Sequence, residues 1–210
     1  MNEVQSGQNE PGAVKRNPLR LALAGVILVG VAAVLYVIAT ASFKPQGPAD
    51  LREFKKGTLE KLDVPASPRA APATVFTSLD GKPATLADFK GRVVVMNLWA
   101  TWCAPCKAEM PTLAKLQAAY ATQPVTVLPI SVDRDSDLNL VQAEMAANPP
   151  LTTYRDPSYK LSFALAPKAG GFPTTVIYDR QGRERARMTG PADWAAPEVR
   201  GLVERLLAEK

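Results

Sequence analysis

Cys103 and Cys106 are the only cysteines in the chain, and two residues separate them. A Cys-x-x-Cys pair can hold a soft metal ion or cycle between dithiol and disulfide. A four-cysteine zinc site or an iron–sulfur cluster needs more thiolates than this chain owns. The chain has no histidine, which excludes His-ligated zinc, Ser-His-Asp hydrolysis and Cys-His protease chemistry. The pair is too close in sequence to staple a fold. Disulfide exchange and Cu(I) binding by two soft thiolates are the chemistries left.

The local context points to exchange. Val93–Leu98 is a nearly continuous apolar run, as expected of a strand covered on both faces. The spacing predicts a helix from Ala104 to Tyr120, with Met110, Leu113, Leu116 and Gln117 on one side and Pro111 bending it. Cys103 therefore stands where a helix begins. Unpaired N–H groups and the positive end of the macrodipole stabilise a thiolate there. Such nucleophiles ionise at about 3.5–7.5, against about 8.5 for a free thiol. Cys106, one turn further and more buried, would resolve the mixed disulfide formed by Cys103.

The elements around this unit follow from pattern. Thr74–Thr77 and Ala84-Thr85 read as short strands about an Asp80-Gly81 turn, and Leu86–Phe89 as a helical turn. Val125–Val132 reads as a buried strand. Asp135–Ala147 reads as a helix with Leu138, Val141 and Met145 inward, stopped by Asn148-Pro149-Pro150. Leu151–Tyr154 reads as an edge strand and Pro157–Leu165 as a helix. Thr174–Tyr178 and Glu184–Thr189 form a hairpin through Arg180-Gln181-Gly182, and Ala196–Ala208 is a closing helix. The order predicts an α/β sandwich with parallel early strands and an antiparallel hairpin at the edge.

Outside that domain, Leu21–Phe43 carries no charge, which is long enough for a membrane helix of about 20 residues. Lys15, Arg16 and Arg20 precede it and place the N-terminus in the cytoplasm. Lys44, Arg52, Lys55 and Lys56 follow, partly offset by Asp50 and Glu53. Ala39-Thr40-Ala41 fits a signal-cleavage site, but signal cores run only about 7–15 residues. The expected layout is a cytoplasmic tail (1–18), a transmembrane anchor (19–43), a Pro-rich tether (44–72) with a short helix near Leu51–Leu62, and a folded domain (73–210). The 210 residues are 47% apolar and 21% charged, enough for a core, and 19 prolines argue against a helical bundle. The net charge of +5 is scattered, which gives no support to nucleic-acid binding.

Asn97-Leu98-Trp99-Ala100-Thr101-Trp102-Cys103-Ala104-Pro105-Cys106, Glu109-Met110-Pro111, Gly171-Phe172-Pro173-Thr174-Thr175 and Gly190-Pro191-Ala192-Asp193-Trp194 together resemble the thioredoxin superfamily, and within it the membrane-anchored TlpA-like branch. The resemblance implies a thioredoxin-like fold, a central mixed sheet flanked by helices. It makes Cys103 the attacking and Cys106 the resolving sulfur. It makes Pro173 a cis-proline facing the disulfide, and Phe172 part of the surface that pairs with an extended client. Ordinary cytoplasmic thioredoxins carry a buried Asp where this chain has Asn97. Glu109, on the Cys106 face of the helix, matches an acid of extracytoplasmic reductases and would tune or deprotonate Cys106; the alternative is an exposed glutamate near the helix start, favoured there by the dipole.

Other residues take plainer readings. Trp102 is expected as a semi-exposed client contact, Trp99 as core and Trp194 as structural. Lys107 reads equally as a helper of the thiolate or a solvated lysine. Asp133–Asp137 lacks the glycine and final glutamate of a calcium loop and reads as a loop and helix cap. The resemblance implies a reductant needing no cofactor and no metal. Its expected clients are disulfides of copper-handling proteins in cytochrome oxidase assembly, on the periplasmic side of the inner membrane, with re-reduction by a membrane electron donor. Reduction of apocytochrome thiols is the alternative client. A Cu(I) chaperone is disfavoured, because related copper chaperones use a wider thiol spacing and a histidine.

Overall fold

The computed structural model describes residues 27–37 and 50–209. Residues 27–37 form a helix, α1, whose apolar side chains, Leu28 and Val29 among them, are exposed within its own unit. No helix among the described residues is long and apolar enough to cross a membrane. The flanks of the expected anchor, 19–26 and 38–43, and the tail 1–18 lie outside the described residues.

Strand β4 (Val93–Trp99) is buried along its whole length. It runs parallel to β5 (Val125–Ser131) and antiparallel to β7 (Thr174–Tyr178). The strand period of two splits its side chains between two cores. Val93, Val95 and Trp99 join one, beneath helices α2 (Ala104–Ala119) and α5 (Pro197–Ala208). Val94, Met96 and Leu98 join the other, with Phe76, Leu161 and Leu165. Both faces are covered, which is why the run carries no polar alternation. Asn97 is the one polar interruption, and it is fully buried.

The sheet has eight strands in the order β1-β8-β7-β4-β5-β6-β2-β3, where β1 is Arg69–Ala70, β2 Phe76–Ser78, β3 Pro83–Ala84, β6 Tyr154–Arg155 and β8 Arg183–Thr189. This is the expected thioredoxin-like mixed sheet. The hairpin β7–β8 does not form its edge, however. β7 lies against central β4, and β1 covers β8. Of the expected strand at Leu151–Tyr154 only Tyr154 is strand, in β6 with Arg155. The expected helix at Pro157–Leu165 is reduced to α4 (Lys160–Ala164). Asp156 sets that start: its carboxylate accepts the N–H groups of Lys160 (3.1 Å) and Leu161 (2.7 Å). The helix α3 (Leu138–Ala147) is preceded by a 3-10 turn at Asp135–Asp137 and buries Val141 and Met145.

The Pro-rich tether is corrected over its described part. Residues 50–72 are not a loose linker. Leu51, Leu59 and Leu62 are each 0% exposed and join the core beneath α2 and α5. The expected short helix there is two 3-10 turns, Leu51–Phe54 and Gly57–Leu59. Asp63 exchanges both backbone hydrogen bonds with Arg187 (2.7 and 2.8 Å), and β1 pairs with β8. Burying a leucine contributes about 1.5–3 kcal/mol, and these three side chains, with the backbone pairing to β8, hold the segment on the domain. The folded unit accordingly begins near residue 50, not at 73.

Candidate active site

Helix α2 opens at Cys103, which caps it: Cys103 Sγ accepts the backbone N–H of Cys106 at 3.3 Å. Pro105 stands in the first turn, where its missing N–H costs nothing. Cys103 and Cys106 are joined by a disulfide, with Cα atoms 5.3 Å apart. Cys103 keeps 6% of its surface exposed and Cys106 none. The outer sulfur is thus the one a partner can reach. On reduction it would face the free N–H groups of the helix start, where negative charge is favoured.

The loop before the disulfide is pinned from beneath. Asp133, buried at the end of β5, accepts the Thr101 N–H at 3.0 Å and the Thr101 hydroxyl at 2.7 Å, and also the Ser131 hydroxyl at 2.8 Å. Asp133 is therefore the anchor of the Thr101-Trp102 turn, not part of an ion-binding run. Trp99 is core, and its indole N–H reaches Thr153 Oγ1 at 3.3 Å.

Beside the sulfurs, Trp102 is 60% exposed and meets Phe172 edge to face at 5.9 Å. Tyr159 meets Phe172 from elsewhere at 6.1 Å. The Phe172-Pro173 bond is cis, as are Pro149-Pro150 and Ala166-Pro167. The structure thereby places Phe172 against Trp102, which directly precedes Cys103. Lys107 instead pairs with Glu144 at 3.6 Å.

Glu109 is a second buried carboxylate of the site, 2% exposed. Its Oε1 accepts from Asn97 Nδ2 (2.7 Å), and its Oε2 from the Ala192 N–H (3.0 Å) and the Trp194 indole N–H (2.9 Å). Asn97 Nδ2 also donates to Thr175 Oγ1 (2.8 Å), while Asn97 Oδ1 is buried with no hydrogen-bond partner. Loss of water raises the Glu109 pKa from 4.5 to about 7, despite the opposing hydrogen bonds from Trp194, Ala192 and Asn97. A carboxyl poised near neutrality can take a proton and give it back. A solvated glutamate at the helix start would have no such poise.

Trp194, expected only as structure, is thus a direct partner of Glu109. Its presence in the Gly190–Trp194 segment was visible in sequence, but its reach was not. Ala192 acts through its backbone, which leaves no trace in residue type. Asn97 replaces the expected acid by donating to another one. Among the described residues no cluster of His, Cys, Asp or Glu could hold a metal ion.

Comparison with known proteins agrees with this geometry. A family model described as Redoxin matches residues 66–205. The chain is 30% identical over 122 residues to the thiol-disulfide oxidoreductase ResA of Geobacillus thermodenitrificans, covering 57% of this chain and 67% of that one. Among solved structures, a thiol:disulfide interchange protein of the thioredoxin family from Chlorobium tepidum superposes with a TM-score of 0.57 at 27% identity, covering 69% of this chain and 99% of that one. A secreted thiol-disulfide isomerase from Corynebacterium glutamicum gives a TM-score of 0.58 at 26% identity, covering 70% and 92%.

Proposed function

Because the chain belongs to the Redoxin family and is a TlpA-like thiol-disulfide oxidoreductase of the thioredoxin superfamily, we propose that it works as a reductant of partner protein disulfides outside the cytoplasm, anchored by the apolar run Leu21–Phe43. The observation that carries the reading is the pairing of a reachable Cys103 at the start of α2 with a fully buried Cys106, one turn before a carboxyl of raised pKa.

The cycle starts from the dithiol. The Cys103 thiolate attacks one sulfur of the partner disulfide, a Cys103–partner bond forms, and the partner's other sulfur leaves as a thiolate that takes up a proton. Glu109, ionised, takes the Cys106 proton. The Cys106 thiolate then attacks Cys103 Sγ, closes the intramolecular disulfide and expels the second partner thiolate. Two electrons have passed to the partner. A membrane electron donor of the thiol class must return them. Asp133 holds the Thr101-Trp102 turn in place, and Trp102, Phe172 and Pro173 receive the extended client segment beside the sulfurs. No cofactor takes part.

The client we propose is a copper-handling protein of cytochrome oxidase assembly, whose thiols must be reduced before metal enters. TlpA-like membership supports this reading, and tethering to a membrane would raise the effective concentration of a membrane-bound client. Trapping tests it. Cys106→Ala leaves Cys103 unable to release its partner, so mixed disulfides with the client accumulate and can be identified. Recovery of copper-handling proteins is the expected result. Recovery of apocytochromes would replace the client, and absence of any mixed disulfide would end the reductant reading.

A further inference from the structure

The loop Gly190–Trp194 connects the parts of the site. The Gly190 N–H donates to the carbonyl of Pro173 (2.9 Å). The Ala192 N–H and Trp194 indole donate to Glu109, and the Trp194 N–H donates to Thr112 Oγ1 (3.1 Å) on α2. A further contact is with a distant part of the chain: the Asp193 N–H donates to Thr58 Oγ1 at 2.6 Å. We infer that Thr58, in the segment expected to be a passive tether, is a positioning residue that holds this loop over Glu109 and so sets the proton affinity of the carboxyl.

Thr58 is itself fixed. Its N–H donates to Glu198 Oε1 on α5 at 2.8 Å. Leu59 follows it into the core, and Leu62 and the Asp63–Arg187 bridge secure the segment beyond. Gly57 precedes it at φ +55, and a Cβ there would stand 2.1 Å from Glu198 Oε1. The left-handed φ favours glycine at 57, and any Cβ there would displace the carboxylate end of Glu198 that holds the Thr58 N–H. Thr58 and the loop also line one shallow groove of about 290 Å³, whose wall includes Glu109. The surroundings of Glu109 are therefore built partly from Thr58, which precedes the whole sheet.

The consequence is electrostatic. Two of the three donors that favour the charged form of Glu109 ride on the braced loop. If the loop slackens, those N–H groups draw back, the carboxylate loses their support, and the proton is held more tightly. The other titratable and charged groups on α2, the loop and α5 are Cys106, Lys107 and Lys115, then Asp193, then Glu198, Arg200, Glu204 and Arg205; the hydrogen bonds to Glu109 come instead from Asn97, Ala192 and Trp194. In the oxidised protein Cys106 has no proton to lose, so that state isolates the carboxyl.

The catalytic consequence rests on the reading of Glu109 as the Cys106 proton acceptor; the titration of the carboxyl does not. The experiment is a carbon-13 carboxyl NMR titration of the oxidised full-length chain in detergent, with the Glu109 signal assigned by its loss in Glu109→Gln. Thr58→Val keeps the shape and removes the acceptor, and should raise the Glu109 midpoint by about one unit. Thr58→Ser restores the hydroxyl and should return it. Gly57→Ala should move it in the same direction as Thr58→Val. A Thr58→Val midpoint equal to that of the unaltered chain overturns the inference, including where the thermal midpoint falls, since that would be a structural role alone. Rates of reduction of a small aromatic disulfide across pH separate the two readings. A midpoint that moves while the rate profile stays fixed leaves the brace standing and removes Glu109 from the proton step.

Discussion

Glu109→Gln should stabilise the oxidised protein at high pH and leave it nearly unchanged at low pH. Burial holds the Glu109 carboxyl at about 7 against an ordinary 4.5. At 1.36 kcal/mol per pH unit that gap amounts to about 3 kcal/mol. The sign follows from which state holds the proton. Below about pH 4.5 the carboxyl is protonated folded and unfolded, and nothing is lost. From there to about pH 7 the folded chain keeps a proton that the unfolded chain has released, so stability falls as pH rises. Above about pH 7 the folded chain bears the full cost of a buried charge. Glutamine has no proton to lose. Its amide can be seated with its oxygen toward Ala192 and Trp194 and its NH2 toward Asn97, whose buried Oδ1 has no partner and can accept once the Asn97 amide turns over. Urea unfolding of the two oxidised proteins at about pH 4.5 and about pH 8.5 reads the difference. The glutamine variant should gain about 3 kcal/mol at the higher pH, or about 6–12 °C in Tm, and lie within about 1 kcal/mol at the lower. A variant less stable than the parent at the higher pH, or offset equally at both, would refute the burial argument.

Two further outcomes follow from the same contacts. Leu59→Ala opens a cavity under α5 at a fully buried position and should cost about 2–5 kcal/mol in chemical denaturation, whereas a tether residue would cost nothing measurable. Trp102→Ala removes an exposed ring whose described ring contact is with Phe172. Its stability should change by about 0.5 kcal/mol or less, while reduction of a protein disulfide slows more than reduction of a small one; equal slowing of both would remove Trp102 from client binding.

Much of the site could be read in advance because it rests on local rules. An apolar strand, a Cys-x-x-Cys and a helix start are adjacent in the chain, so Cys103 and Cys106 could be assigned to the helix start and its first turn from spacing alone. The runs Leu86–Phe89 and Thr174–Tyr178 match the elements found. Pairings between distant segments were not legible. Prolines at 65, 68 and 72 suggest an extended linker, and nothing in Leu51, Leu59 and Leu62 announces that α5 will close over them. The hairpin looked like an edge because β1 is only Arg69–Ala70, too short for an alternation to show. Glu109 could be placed on the Cys106 face, but its burial depends on Trp194 and on a backbone N–H far along the chain.

The central claim is that electrons leave through a Cys103 thiolate favoured by the start of α2. Thiolate absorbance of the reduced Cys106→Ala chain, followed across pH, measures that directly. The expected result is a Cys103 half-ionised well below the free-thiol value of about 8.5; ionisation at or above that value would contradict it.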